Sequence, residues 1–507
     1  MHLSWLLALS GGAVASIPAI AARNQPQTVC DKFKSMYSNI TYSYGDANYD
    51  EESEDTWSTR SWLKPACIFA PVNAEQLSFA VTNLAECGVK FAIRGGGHMP
   101  IASANGIGSE GVLISCTNLD TLALSSDNKT LSVGPGPRWT EVYTALDGTG
   151  YGVVGARIGP VGVPGFLLGG GVSFYSYEHG LGSTNGNVKG YQCVLADGRV
   201  VEVTVDNEFA DLFWALQGGG NSFCLVTRFD IQTHPSPTVM IGAPTYGSTE
   251  IRDKFMDTVF DFVTNGHLDP KAAIIPVCRY DSGNDAPVYS STLFYNGNDT
   301  VPAILNGFLG GNLEPENGVT ALSPFPLGQY STAVSQAFEE GGESHGKRQR
   351  FHMLPILANR EALQKAHDLF FELAKTSFDG MNATIGMAFN PITSQFLKAS
   401  NAKPGSLQGL DERPAFWIEQ TYTWEEEGDD VRIENFIQGY NTNILETLRS
   451  MNATASFHYL NEADEGQPVF ESYPAGNLDR LKQIRAKYDP TRVFTDLMPG
   501  GWKVEAA

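Results

Sequence analysis

Glycine placement is the feature that most restricts what this chain can fold into. Between about residue 94 and residue 221 glycines come in clusters: Gly95-Gly96-Gly97, then Gly162 and Gly165 with Gly169-Gly170-Gly171, then Gly218-Gly219-Gly220. A glycine inside a helix costs about 1 kcal/mol relative to alanine. This stretch therefore cannot be a helical bundle. Strand-like runs lie between the clusters, at residues 112–115, 130–133, 153–154, 192–195, 200–204 and 223–233. The expected result is an α+β layer whose backbone packs close to something.

The flanks have a different texture. Residues 24–60 are polar, with Asp50, Glu51, Glu52, Glu54 and Asp55 clustered, and read as a solvated lead-in. A strand at 67–71, a helical period over 74–87 and a strand at 90–94 predict a βαβ unit. After Pro235 the glycines thin out. Residues 238–455 alternate strand-like runs (272–279, 291–295, 416–422) with amphipathic helices (252–264, 360–375, 431–451), as a second α/β domain would. The tail reads as a strand at 455–459 and a helix at 477–487, stopped at Pro490.

The formal net charge of -22 repels phosphate backbones and excludes nucleic acid as a partner. The first residues are apolar and end in small ones. Ala19-Ile20-Ala21 and Ala13-Val14-Ala15 both fit a signal-peptidase site, which predicts a signal peptide over 1–21 and a secreted protein. A short membrane anchor is the alternative, but Gly11, Gly12 and Pro18 interrupt the run. With the signal cleaved, no membrane association is expected. Sequons at Asn39, Asn128, Asn298, Asn382 and Asn452 suit the secretory route and are the expected glycan sites. None of the seven cysteines forms a CxxC pair, so no metal site is expected. Cys30, Cys67 and Cys87 all lie early, and one disulfide among them is expected.

Three glycine motifs carry chemistry. Arg94-Gly95-Gly96-Gly97-His98 follows a strand and exposes several N–H groups in one concavity, as a pyrophosphate needs; a plain turn is the other reading. Val161-Gly162-Val163-Pro164-Gly165 with Gly169-Gly170-Gly171 offers no reactive side chain, so close approach of a flat ligand or of backbone explains it. Asp211 to Asn221 runs an aromatic helix end into a glycine turn and then a strand containing Val226. None of them is GxGxxG or GxxxxGK[ST].

With these motifs the chain resembles the FAD-linked oxidases of the vanillyl-alcohol oxidase superfamily, and within it the secreted fungal form of the berberine bridge enzyme-like oxidoreductases. The matching patterns are Arg94–His98, Val161–Gly171, Asp211–Asn221, Tyr459-Leu460-Asn461, and Lys487-Tyr488-Asp489-Pro490 with Phe494. They run in the family's order from about Pro65 to Trp502. The resemblance implies a two-part FAD-binding domain of the PCMH type (61–237), a substrate domain with an antiparallel sheet (238–455), and a C-terminal segment (456–507) that returns to complete the FAD site. It implies FAD contacts from Arg94, Gly95, Gly96, Gly97, His98, Val161, Gly162, Gly165, Gly169, Gly170, Gly171, Asn187, Val226 and Asn461. His98 matches the residue that bonds covalently to the flavin. Relatives with a second, cysteinyl link carry that cysteine where this chain has Ile158, so a single link is expected. Val161 matches a position thought to admit oxygen. Pro164, Cys224 and the run from Ser183 to Asn187 depart from the family's pattern. In plant relatives Cys30 would pair with Cys87; Cys67 is the rival.

The expected activity is that of an oxidase taking hydride from a small organic substrate, a secondary metabolite in preference to a sugar, with O2 as acceptor. Several relatives use a tyrosine in Y-x-N-Y as base. Here the fourth position is Glu462, which becomes the candidate base, with Tyr459 and Asn461 in support; pairing with a cation at the domain junction is its alternative role. A non-redox cyclase or isomerase using Glu462 on a flavin scaffold is the rival activity. On the strand around 416–422, Trp417, Glu419 and Thr421 share one face and Ile418, Gln420 and Tyr422 the other. Gln420 and Tyr422 are the more natural hydrogen-bonding pair for a pocket wall, with Glu419 exposed.

Overall fold

The computed structural model describes residues 25–507 except 185, 248–250, 285 and 404. The signal peptide expected over 1–21 lies outside the described residues, as does Asn185 of the departing run. No helix among the described residues is long and apolar enough to cross a membrane.

Three large sheets and one two-stranded pairing, Tyr151–Gly152 with His234–Pro235, organise the described residues. The βαβ unit forms as expected: Cys67–Phe69 and Lys90–Arg94 both pair in parallel with Gly111–Ser115, and Thr41–Ser43 adds an antiparallel edge. The connecting helix Ala74–Cys87 starts where the Asn73 side chain accepts from the Gln76 N–H and ends at Gly88, whose φ of +64° lets the chain turn back. The second sheet is antiparallel, in the order Leu122–Leu124, Thr130–Val133, Leu225–Gln232, Val188–Val194, Val200–Thr204. The third has eight strands. Four neighbouring strands, Ala272–Asp281, Ala383–Ile392, Ala415–Trp424 and, at the edge, Arg348–Leu357, are wholly antiparallel. Helices Arg360–Ser377 and Asp430–Ser450 pack on this sheet, with Phe370 and Phe436 against Tyr422 at 6.1 and 5.9 Å between ring centroids.

Two expectations need correction. Residues 24–60 are not a solvated lead-in. Helix Pro26–Met36 buries Val29 and Phe33 completely, and the Phe33 ring lies 4.7 Å from Phe69. Burying two such side chains is worth about 1.5–3 kcal/mol each, so a mostly polar segment still docks through one apolar edge. The disulfide expected among the early cysteines does form, as Cys30–Cys67, one of the two pairings left open, and Cys87 is a free thiol. The strands expected at 153–154 and 455–459 are absent; the backbone pairs at Tyr151–Gly152 instead, and the later segment is coil leading into a 3-10 turn, Leu460–Glu462. Val153, Val154, Phe457 and Tyr459 are apolar or aromatic because they are packed inside the protein, not because they lie on strands.

Candidate active site

The glycine clusters meet back to back. A Cβ on Gly96 would stand 2.5 Å from the Gly162 Cα, so only glycine permits the contact. Gly97 adopts φ +65° and turns the chain so that His98 faces a long cavity between the sheets. Gly95, Gly96, Gly97, Val161, Gly162, Gly165, Gly169 and Val226 line that cavity, together with Tyr459, Asn461 and Glu462 from the C-terminal segment. The indole N–H of Trp502 also lines it and is a buried donor without a partner among the described residues. A backbone cradle that no side chain can fill, with donors facing it, fits a flat, phosphate-bearing cofactor.

His98 lies parallel to Trp57, with ring centroids 4.6 Å apart and an 8° interplanar angle. Burial, with the Arg138 guanidinium nearby, pushes its pKa down to about 3. The imidazole is therefore neutral at ordinary pH and keeps a nitrogen lone pair. Ile158 lines the same cavity.

A charged cluster occupies another part of the wall. Glu462, only 6 % exposed, accepts from the Asn390 side-chain amide at 2.8 Å and faces Arg157 at 3.4 Å. Arg157 also donates to the Asn390 Oδ1 at 2.7 Å. Glu419 lines the cavity from the strand Ala415–Trp424, next to the edge of the large sheet. Burial raises the Glu462 pKa well above the carboxylate range, the Glu419 charge raises it further, and Arg157 and Asn390 oppose the shift. Burial also raises Glu419, to about 7, against the pull of Arg157. Burial thus draws both carboxyls towards the protonated form, and the guanidinium of Arg157 opposes it at each. Of the two roles expected for Glu462, a base or a partner to a cation, the geometry shows the second, with Arg157 as the cation.

Tyr459 is fixed by its hydroxyl oxygen, which accepts from the Val172 N–H at 2.8 Å and from the Asn461 amide at 3.0 Å. Asn461 also donates to the Phe166 carbonyl at 3.1 Å and sits where a side chain on Gly169 would collide with it. The C-terminal segment is thereby locked onto the second glycine motif.

Several expected site residues lie elsewhere. Gln420 and Tyr422 face the covering helices, not the cavity: Gln420 exchanges hydrogen bonds with Asn441 at 2.8 and 3.1 Å, and the Tyr422 hydroxyl donates to Gln420 at 2.7 Å. A glutamine and a tyrosine can be buried under helices once they satisfy each other. Arg94 is fully buried behind the glycine turn, in an ion pair with Glu52 at 2.5 Å and a bond to Ser115 at 2.8 Å. Asn187 clamps the carbonyls of His179 and Leu181, outside the cavity lining. Gly170 and Gly171, with φ of +123° and +87°, shape the turn without lining the cavity. Sequence reasoning missed Arg157, Trp57 and the role of Asn390. It placed Glu419 on the right strand but on the wrong side of it, although the alternation already put Glu419 opposite Gln420.

Comparison with known proteins agrees with this geometry. A family profile described as "FAD binding domain" matches residues 65–204, and one described as "Berberine and berberine like" matches 458–496. The FAD-dependent monooxygenase prx3 of Penicillium roqueforti is 30% identical over 516 residues, covering 99% of this chain and 98% of that protein. The chain belongs to the berberine bridge enzyme-like FAD-dependent oxidoreductases. Among solved structures, Physcomitrella patens BBE-like 1 superposes with a TM-score of 0.75 at 21% identity, covering 92% of this chain and 97% of that one. Glucooligosaccharide oxidase from Acremonium strictum, whose FAD carries 6-S-cysteinyl and 8α-N1-histidyl links, gives 0.70 at 20%, covering 92% and 97%. This berberine bridge enzyme-like protein is thus an FAD-dependent enzyme with a fold shared along nearly its whole length.

Proposed function

We propose that this protein is a secreted oxidase of small organic molecules, secondary metabolites rather than sugars. The observation that carries the reading is the Glu419–Glu462 pair, held beside Arg157 in the wall of the cavity that His98 also lines. When bound, the flavin supplies the two-electron acceptor that takes hydride from the substrate carbon and passes the electrons to O2 as peroxide. The chain's own work is to move one proton. Glu462 accepts it from the substrate's O–H or N–H, with Glu419 sharing the resulting charge change. Arg157 pulls both carboxyls towards ionisation against their burial, and Asn390 fixes the Glu462 plane by its 2.8 Å bond. Tyr459 positions the segment and does not titrate in this range, since burial pushes its phenol up. Phe166, Leu168, Val172 and Phe351 give the cavity an apolar lining suited to a hydrophobic substrate.

His98 holds the flavin by a single bond from its neutral imidazole. Ile158 has no group that could add a second. The test is retention of colour after acid precipitation. The wild-type pellet should stay yellow, and His98→Ala should release all flavin to the supernatant. Colour retained by the variant overturns the assignment.

The oxidase reading is tested by following peroxide while the purified protein is offered benzylic or allylic alcohols, amines and oligosaccharides. Peroxide from the first groups is expected, and none from any substrate overturns it. The monooxygenase name of the Penicillium relative favours a second reading, in which an oxygen atom enters the product. Labelled 18O2 separates the two: label in product supports the second, label only in peroxide the first.

A further inference from the structure

A second cavity, of about 470 Å³, shares no lining residue with the flavin cavity. Gln408 lies between them. It lines the second cavity, while its amide donates at 3.4 Å to the carbonyl of Gly169, which lines the first. The wall includes a stacked histidine pair, His179 on His234, with centroids 3.7 Å apart at 12°. The Asn187 amide donates to the carbonyls of His179 and Leu181, which turns its oxygen towards His234 Nε2 at 3.0 Å. That nitrogen therefore carries the ring hydrogen. Burial, with His179 adjacent, pushes His234 down to about 3, so its ring is neutral.

Gln217 lines this cavity at only 9 % exposure, and its side-chain Nε2 is buried with no hydrogen-bond partner among the described residues. A native buried donor without an acceptor calls for a ligand or water that supplies one. Lys403 and Arg480 stand exposed in the same wall. Arg480 lies over the Trp214 ring at 3.8 Å, and neither cation makes an ion pair among the described residues. Glu178 is the one carboxylate lining the cavity, and its Oε1 is engaged by the Asn296 amide at 2.8 Å. On a chain of net charge -22, a pocket with two unpaired cations and one carboxylate is a local reversal of sign.

We propose that this second cavity binds a small organic carboxylate. Lys403 and Arg480 attract the anion, and the buried Gln217 amide donates to one of its oxygens. Hydroxyls of Thr184 and Ser406 in the wall can satisfy the remaining oxygens. The neutral histidine rings and Trp214 give a flat surface for the carbon skeleton. No redox step is involved, because the flavin cavity lies beyond Gln408.

Calorimetric titration of the flavin-loaded protein near pH 7, at fixed ionic strength, tests this with citrate as probe and inorganic phosphate as competitor. Citrate should bind saturably at one site per chain. The double variant Lys403→Gln/Arg480→Gln should weaken it by about tenfold or more, with the flavin absorbance unchanged. Gln217→Leu should weaken it independently. Both cations are exposed, and the double variant removes only the stacking of Arg480 on Trp214, so the test stands even if the Gln217 variant folds poorly. Absence of citrate binding, equal affinity in the double variant, or phosphate binding as tight as citrate would each overturn the proposal.

Discussion

At the scale of single residues, the chemistry rests on charge placed where burial disfavours it. Glu462 and Glu419 both have raised pKa values, so the proton-accepting form appears as pH rises through the pair's shared titration. The rate should therefore have an ascending limb in the neutral range rather than near 4.5. Glu462→Gln should lower kcat/KM by about 10²–10⁴-fold and leave a residual limb set by Glu419, which its own burial against the pull of Arg157 holds at about 7; steady-state profiles measure both. The same shift acts on stability. A carboxyl whose folded pKa lies above its unfolded value contributes fully below the unfolded value and loses that contribution as pH rises through the folded one. The glutamine variant should then melt higher than wild type at about pH 8 and no higher at about pH 4. A Tm gain equal at both pH values would show that the carboxyl's charge is not what strains the site. Neutral His98 follows the same physics with the opposite sign: burial removes its charge and leaves the lone pair.

Helices, strands and turns succeed or fail in the sequence according to what their periodicity can report. The helix Arg360–Ser377 and the strand Ala415–Trp424 are legible because one face of each is apolar. Alternation also sorted Glu419 from Gln420. It could not say which face looked at the ligand, because a covering helix buries polar groups as readily as a cavity does once they bond each other. The helix Pro26–Met36 was illegible for another reason: few of its residues are apolar, and its anchor is covalent. Cys30–Cys67 closes a loop of sequence separation 37 between that helix and the first parallel strand. Chain-entropy estimates put such a cross-link at about 2–4 kcal/mol. Replacing both cysteines with serine should lower the denaturant midpoint by a corresponding amount while flavin content stays near wild type, since neither sulfur lines the cavity. Unchanged stability would mean that Val29 and Phe33 suffice to hold the helix.

On the scale of the whole molecule, the site belongs to no single segment. His98 and the glycine turns come from the first part of the chain, Glu419 and Asn390 from the large sheet, and Glu462 from the tail, which then returns Val493 and Phe494 to the core around Leu77 and Phe91. Ending the chain after residue 457 should therefore abolish flavin binding and yield insoluble protein, as absorbance and sedimentation would report; a soluble yellow truncate would refute the shared-site view. By itself the sequence determined the cofactor class, the glycine turns, the histidine facing the cavity and the aliphatic residue, Ile158, in the same wall. These are local: a glycine cluster specifies its own backbone, and a motif carries its ligand chemistry wherever it is placed. Tertiary structure alone decided that Arg157 stands between the tail and the sheet, that Arg94 serves the fold by pairing with Glu52, and that Cys67 rather than Cys87 meets Cys30. Those outcomes depend on distances between segments hundreds or tens of residues apart, which no local periodicity encodes.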